Sequence, residues 1–178
     1  LNVARGAAAV DLSVNGPIIS NGGLVKNGNG ILAFNNATNN YPGPTVVNNG
    51  TLILNGVLLA TNNTVTVASG ATLGGSGIIA GAVVVNGTLA PGTSIGTLTI
   101  SNVLTLNSGS ASTFEVNGTT PANDAVVLGS TVAYGGTLNI IPSGTFTNGQ
   151  TFTLFNGAGA TSAGNFTSLT GSPGSGLA

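Results

Sequence analysis

The sequence predicts an all-β fold, a solenoid of stacked parallel coils leading into an antiparallel or β-sandwich-like C-terminal part. Three observations predict it. Gly and Pro supply 30 and 7 of the 178 residues, and Asn and Thr another 23 and 24, an alphabet of turns and strands. The dipeptide Asn-Gly, whose residues tolerate positive φ in reverse turns, begins at Asn15, Asn21, Asn27, Asn29, Asn49, Asn55, Asn86, Asn117, Asn148 and Asn156, which cuts the chain into short segments. A glycine followed by a short apolar strand recurs at Gly30 (GIL), Gly50 (GTL), Gly70 (GATL) and Gly87 (GTL), at intervals of 20, 20 and 17 residues, and Gly6 (GAAAV) lies 24 residues before the first.

The segments between turns follow a period of two. Thr51-Leu52-Ile53-Leu54, Val65-Thr66-Val67, Thr97-Leu98-Thr99-Ile100, Leu104-Thr105-Leu106 and Thr151-Phe152-Thr153-Leu154 each alternate in this way, as half-buried strands do. Gly or Asn interrupts every stretch before a helical stripe of ten residues can build up. One coil of about twenty residues buries too few side chains to offset the ordering of its own backbone, so each coil depends on its neighbours. Rows of Asn and Thr at the turns suit this stacking, because identical amides at the strand spacing form hydrogen-bonded ladders. An antiparallel β-sandwich is the competing reading of the same pattern. Its weight rises from about Phe114, where Asn-Gly pairs separate the runs TFEV, DAVVL, GTLNII and QTFTLF. The expected division is therefore residues 1–113 as solenoid coils and 114–178 as a β end piece continuous with them.

Composition excludes several functions. Only 3% of residues are charged, Arg5, Asp11, Lys26, Glu115 and Asp124, and the net charge is −1. Nucleic acid is not an expected partner, because phosphate binding needs clustered Lys and Arg. The chain has no His, Cys, Met or Trp, so the usual general base, the thiol nucleophile and the soft metal ligands are missing. No cofactor or metal is expected. The longest nearly apolar run, Gly77 to Val85, is far shorter than the roughly 20 residues of a spanning helix, so no membrane span is expected. The start at Leu1 and the Gly/Ser/Pro tail ending at Leu177-Ala178 suggest a processed or excised piece without a recognisable cap at either end.

The segment Gly22 to Leu54, GGLVKNGNGILAFNNATNNYPGPTVVNNGTLIL, resembles the autotransporter-associated β-strand repeat. Leu24, Lys26, Gly28, Gly30, Leu32, Asn39, Tyr41, Gly43, Thr45, Gly50, Thr51 and Leu52 occupy the positions of its pattern. Later stretches, from GATLGGSG to STFEVNG and from NDAVVL to TLFNG, look like the last coils of such passenger domains. The resemblance implies a right-handed parallel β-helix at the cell surface or in the extracellular space, acting as a stalk or adhesin. No outer-membrane barrel follows the repeats in this sequence, which is a departure from that pattern.

The residues that stand out also have plain structural readings. Lys26 is expected to lay its stem over an apolar strand with its head in water. Tyr41 and Phe34 offer a sugar-stacking platform or, more plainly, stack on each other or cover a turn. The three carboxylates are the available acid/base groups, and a glycosidase needs two of them about 5 to 10 Å apart. Asp11 lies several coils from the others, whereas Glu115 and Asp124 flank the Asn117-Gly118 turn and fit a turn or edge role. Gly74-Gly75-Ser76-Gly77 has the glycines of a calcium-binding β-roll repeat but no following Asp. Asn36, Asn49, Asn62, Asn86, Asn117 and Asn165 begin Asn-x-Ser/Thr sequons and are candidate glycan acceptors where the source glycosylates asparagine.

Three function classes follow. The first is a non-enzymatic structural solenoid, at the surface or in a secreted matrix, whose near-neutral surface favours association with other copies head to tail. The second is a monomeric stalk or adhesin segment that meets a carbohydrate or host surface. The third is a polysaccharide-cleaving β-helix that uses Glu115 or Asp124.

Overall fold

The structure, a computed structural model, describes residues 1–157 and 159–171, so the Leu177-Ala178 ending of the Gly/Ser/Pro tail lies outside the described residues. Among the described residues there are twenty-one short strands and no helix. The widest sheet stacks β1 (Leu12–Val14), β3 (Ile31–Phe34), β5 (Thr51–Leu54), β8 (Thr72–Gly75), β11 (Thr88–Pro91), β14 (Ala111–Asn117), β18 (Thr137–Ser143) and β21 (Ser168–Thr170). A second sheet stacks β2 (Leu24–Lys26), β4 (Thr45–Val47), β7 (Val65–Val67), β10 (Val83–Val85), β13 (Leu104–Leu106), β17 (Val132–Tyr134) and β20 (Ser162–Gly164). The third holds β6 (Val57–Leu58), β9 (Ile78–Ile79), β12 (Thr97–Ile100), β16 (Ala125–Leu128) and β19 (Phe155–Asn156). The chain visits the second, widest and third sheets in turn, as a right-handed parallel β-helix does.

Register follows the glycine repeat. Leu12, Leu32, Leu52, Leu73 and Leu89 stand one over another. Gly6 does not open the lowest strand of this column. Arg5 Nη1 and Asp11 Oδ2 meet at 2.9 Å and close the intervening residues into a loop, so the strand begins at Leu12. Asp11 Oδ2 also accepts the Ile31 N–H at 2.7 Å, which satisfies a donor that a lower rung would otherwise have taken.

Period-two alternation sends Leu52 and Leu54 inward and Thr51 and Ile53 outward. Val47, Val67, Val85 and Leu106 form a second inward column, and Leu58, Ile79, Ile100 and Leu128 a third. All are buried. Coils pack so closely at the corners that a Cβ on Gly56 would run into the Asn36 carbonyl oxygen of the coil below. Gly50 turns the preceding corner at φ +65°, a conformation that favours glycine.

The antiparallel character expected from Phe114 onward is confined to one hairpin, in which Val116 and Asn117 of β14 face Asn123 and Ala122 of β15 (Ala122–Asn123). The other pairings in that region, β14 with β18, β16 with β19, β17 with β20 and β18 with β21, are parallel. The coils lengthen there, from the Leu32 to Leu52 step to the Leu138 to Leu169 step, and their wider interior is filled by rings. Phe114 meets Phe155 at 5.0 Å, Phe155 meets Tyr134 at 5.2 Å and Tyr134 meets Phe166 at 5.1 Å between centroids.

Candidate functional site

Amide ladders tie the corners together. Asn35 Nδ2 donates to Asn15 Oδ1 at 2.8 Å and Asn55 Nδ2 to Asn35 Oδ1 at 3.1 Å. At a second corner Asn48 donates to Asn27 at 2.8 Å, and higher up Asn107 donates to Asn86 at 2.7 Å. These ladders are the ones the Asn-rich turns predict.

Lys26 departs from expectation. It belongs to the inward column of β2, stacked directly on Val47, and is fully buried rather than reaching water. Its Nζ donates to the Gly28 carbonyl at 2.9 Å and to the Asn49 carbonyl of the next coil at 2.7 Å. Lys26 is therefore a clip between two corners, satisfying carbonyls that the turns leave without a ladder partner. Burial lowers its pKa from the ordinary lysine value, and the charge of Asp11 partly opposes this.

Tyr41 and Phe34 are also inside, at 2% and 0% exposure, so neither offers a platform for a sugar. They do not pair as rings either. The Tyr41 hydroxyl lies 2.9 Å from Thr45 Oγ1, which donates to Asn63 Oδ1 at 3.1 Å, and Asn63 Nδ2 returns to the Tyr41 carbonyl at 3.1 Å. This closed ring of polar groups explains how Thr45 and Asn63 are tolerated in the interior. Among the other repeat positions, Leu24 is half-buried and packed against the core, Leu32 and Leu52 are core, and Gly28, Gly30 and Gly43 face backbone atoms that leave no space for a Cβ.

Among the described residues there is one lateral elaboration. Beyond the ordinary coil outline, β14 and β15 form a hairpin, and residues 144–153 loop out between β18 and β19. The two are bonded together: Gly118 N–H to the Ser143 carbonyl at 2.9 Å, Thr145 N–H to Thr119 Oγ1 at 2.8 Å, Gln150 Nε2 to the Gly118 carbonyl at 2.8 Å and Asn123 Nδ2 to the Thr153 carbonyl at 2.9 Å. At the base of the hairpin lies an open groove of about 240 Å³, lined in part by Pro91, Thr93, Thr113, Glu115, Asp124 and Ile141.

Two carboxylates share this groove, so the hairpin does bring Glu115 and Asp124 together. Glu115 is exposed. Asp124 is buried, its Oδ1 accepting the Gly96 N–H at 2.9 Å and its Oδ2 the Glu115 N–H at 2.7 Å. Burial pushes its pKa up, the two N–H bonds pull it back, and the Glu115 charge adds to the rise. Asp124 thus anchors the hairpin to the Gly92–Gly96 loop. Asp11 shifts the other way, held down by the Ile31 and Gly6 N–H bonds and by Arg5.

The two shifts have opposite consequences for acid stability. A raised folded-state pKa means that the native protein takes up a proton before the unfolded chain does, so Asp124 adds stability as pH falls through its folded pKa toward 3.8. Asp11 contributes above the unfolded value of 3.8, and that contribution is lost as pH falls through its lowered folded pKa. In urea melts, Asp124→Asn is expected to abolish the gain in mild acid and Asp11→Asn the loss at lower pH. A wild-type profile reproduced by both variants would contradict these assignments.

Residues 24–54 match the family model described as passenger-associated-transport-repeat. The match runs from the first residue of β2 to the last of β5 and takes in the Lys26 clip and the Tyr41 and Thr45 members of the polar ring, whose third member, Asn63, lies outside it. No curated protein matches the chain. The repeat and the solenoid together fit an autotransporter passenger-like structural domain.

Proposed function

We propose that this chain, with its passenger-type repeat set in an unbroken solenoid, is a non-enzymatic structural element of the cell surface or a secreted matrix that associates head to tail into a fibre. The observation that supports this is the register of the widest sheet, held from Leu12 to Leu169, with exposed strands at its two extremes. In β20 and β21 every residue is exposed, and Leu169, which pairs with Leu138 at the outer rung of the widest sheet, is 65% exposed. Among the described residues the outer edges of β20 and β21 have no strand beside them, and a strand edge of this kind is a template for another parallel coil. A contact of unlike surfaces that does not close on itself yields a filament. Electron microscopy of the purified protein at rising concentration is expected to show fibres one solenoid wide, and dispersed monomers at all concentrations would refute the proposal.

A structural role for Asp124 is supported by its two backbone bonds, which occupy both oxygens. Asn49, Asn62 and Asn165 are exposed and are the sequon residues best placed to carry glycans, whereas the Asn86 amide is used in a ladder. A stalk or adhesin segment is the second reading, and the lateral elaboration favours it.

A further inference from the structure

From the ten Asn-Gly pairs of the chain we infer that one, Asn148-Gly149, is a site of spontaneous covalent modification, at which the asparagine converts through a cyclic imide to aspartate and isoaspartate. An asparagine followed by glycine is set up for this chemistry. Glycine has no Cβ to shield its amide nitrogen, and the attack closes a five-membered ring within one residue pair. The local structure decides whether it happens. The side-chain amide and the following N–H must be free of hydrogen bonds, and the backbone between them must rotate so that the nitrogen reaches Cγ.

Stacked coils withhold these conditions at the other nine pairs. Asn15, Asn27, Asn55 and Asn86 have their amides tied into the corner ladders. After Asn21, Asn29 and Asn117 the glycine N–H is already donated: Gly22 to Ser20 Oγ at 2.9 Å, Gly30 to the Val3 carbonyl at 2.8 Å and Gly118 to the Ser143 carbonyl at 2.9 Å. Asn49-Gly50 is clamped through its backbone, the Asn49 carbonyl by Lys26 Nζ at 2.7 Å and the Gly50 carbonyl by the Thr72 N–H at 2.9 Å. Asn156 lies in β19, paired with Val127. Rotation at these pairs would disturb the seating of one coil on the next.

Asn148-Gly149 has neither restraint. Both residues are exposed, and among the described residues neither the Asn148 amide nor the Gly149 N–H has a hydrogen-bond partner. They are the central residues of a turn, with Gly149 at φ +89°, that is closed only by its own ends. The Gln150 N–H donates to the Thr147 carbonyl at 3.3 Å and the Thr147 N–H to Gln150 Oε1 at 3.0 Å. The flanks stay attached, because Gln150 Nε2 donates to the Gly118 carbonyl at 2.8 Å, Phe146 lies against Gly118, and Phe152 meets Phe146 edge to face at 5.9 Å between centroids. The turn therefore opens without moving a coil, and such local openings are the least costly in a folded protein.

In the open turn hydroxide takes the Gly149 amide proton and the nitrogen bonds to Asn148 Cγ. The Cγ–Nδ2 bond breaks, and Nδ2 leaves as ammonia after taking a proton from water. Water then adds across one of the two imide C–N bonds, giving aspartate when the ring opens at Cγ and isoaspartate when it opens at the backbone carbonyl. The new carboxylate takes the formal net charge from −1 to −2.

The test is incubation of the whole folded chain in warm, mildly alkaline buffer, with peptide mapping by mass spectrometry over time and a parallel sample unfolded in concentrated urea. In the folded protein Asn148 is expected to convert at least about tenfold faster than any of the other nine asparagines. An acid shift on isoelectric focusing accompanies the conversion, and in heavy-oxygen water each product carries one solvent oxygen. In urea the ten rates are expected to converge. Asn148→Gln keeps an amide on an exposed turn but would have to close a six-membered ring, so it is expected to abolish the early phase of ammonia release. Conversion of a corner asparagine ahead of Asn148, the same spread of rates with and without urea, or early ammonia release persisting in Asn148→Gln would overturn the inference.

Discussion

Leu52→Ala is expected to cost about 2–5 kcal/mol, the range for removing a fully enclosed leucine whose site cannot collapse. Leu52 has 0% exposure and sits between Leu32 and Leu73 in a column with no slack, because the strand spacing fixes the distance to both. Stability of a stacked array is a sum over coil interfaces, and this substitution weakens two at once. A typical domain has only about 5–15 kcal/mol in total. Urea unfolding of the variant is expected to shift to lower midpoint, with the coils below Leu52 losing amide protection before the aromatic coils around Phe114. Thr51→Ala, one residue away on the outward face, is expected to stay within about 0.5 kcal/mol of wild type. Equal effects from the two substitutions would contradict the assignment of faces.

Lys26→Met is expected to destabilise by about 1–3 kcal/mol even though it removes a buried charge. Two effects oppose each other. Relief of ammonium desolvation favours methionine, while two charge-assisted bonds to the Gly28 and Asn49 carbonyls are lost, at about 1.5–3 kcal/mol for a hydrogen bond to a charged group. The second effect dominates because methionine keeps the stem and offers no donor. The pH response separates the two. With its folded pKa lowered, Lys26 makes wild-type stability rise as pH rises through that folded value toward 10.5, since the unfolded chain then binds more protons. Lys26→Met is expected to lose this rise. A variant as stable as wild type, with an unchanged alkaline profile, would remove the clip from the account of the repeat.

Much of this fold is legible in the sequence because the solenoid writes one constraint many times. Gly30, Gly50, Gly70 and Gly87 each precede a strand of the widest sheet, and the leucines after them fall into one column. Lys26 was legible as well, since in Leu24-Val25-Lys26 it shares parity with Leu24 and so points inward. The ordinary preference of lysine for water hides this, and only the two waiting carbonyls reverse it. Tyr41 gives no such signal, because it lies in an irregular corner after an isolated bridge at Asn40. Parallel and antiparallel strands share the same alternation, and Asn-Gly turns a coil corner as readily as a hairpin. The region after Phe114 therefore looks antiparallel while only β14 and β15 pair that way. Phe146 and Phe152 carry no periodicity that separates them from core phenylalanines; their place outside the core emerges only once the longer coils are stacked.

The central claim, that each coil lies in register on its immediate neighbours, is open to direct measurement because the chain contains no cysteine. Thr51 and Thr72 face outward on adjacent rungs, and Thr88 is one rung further. Adjacent rungs are about 4.8 Å apart, within the reach of a disulfide, whereas two rungs exceed its limit of about 7 Å between Cα atoms. Oxidation of the folded Thr51→Cys/Thr72→Cys protein, followed by mass spectrometry, is expected to give a near-complete intramolecular bond, with Thr51→Cys/Thr88→Cys remaining reduced. Bridging of the second pair in preference to the first would contradict the stacking from which the rest is derived.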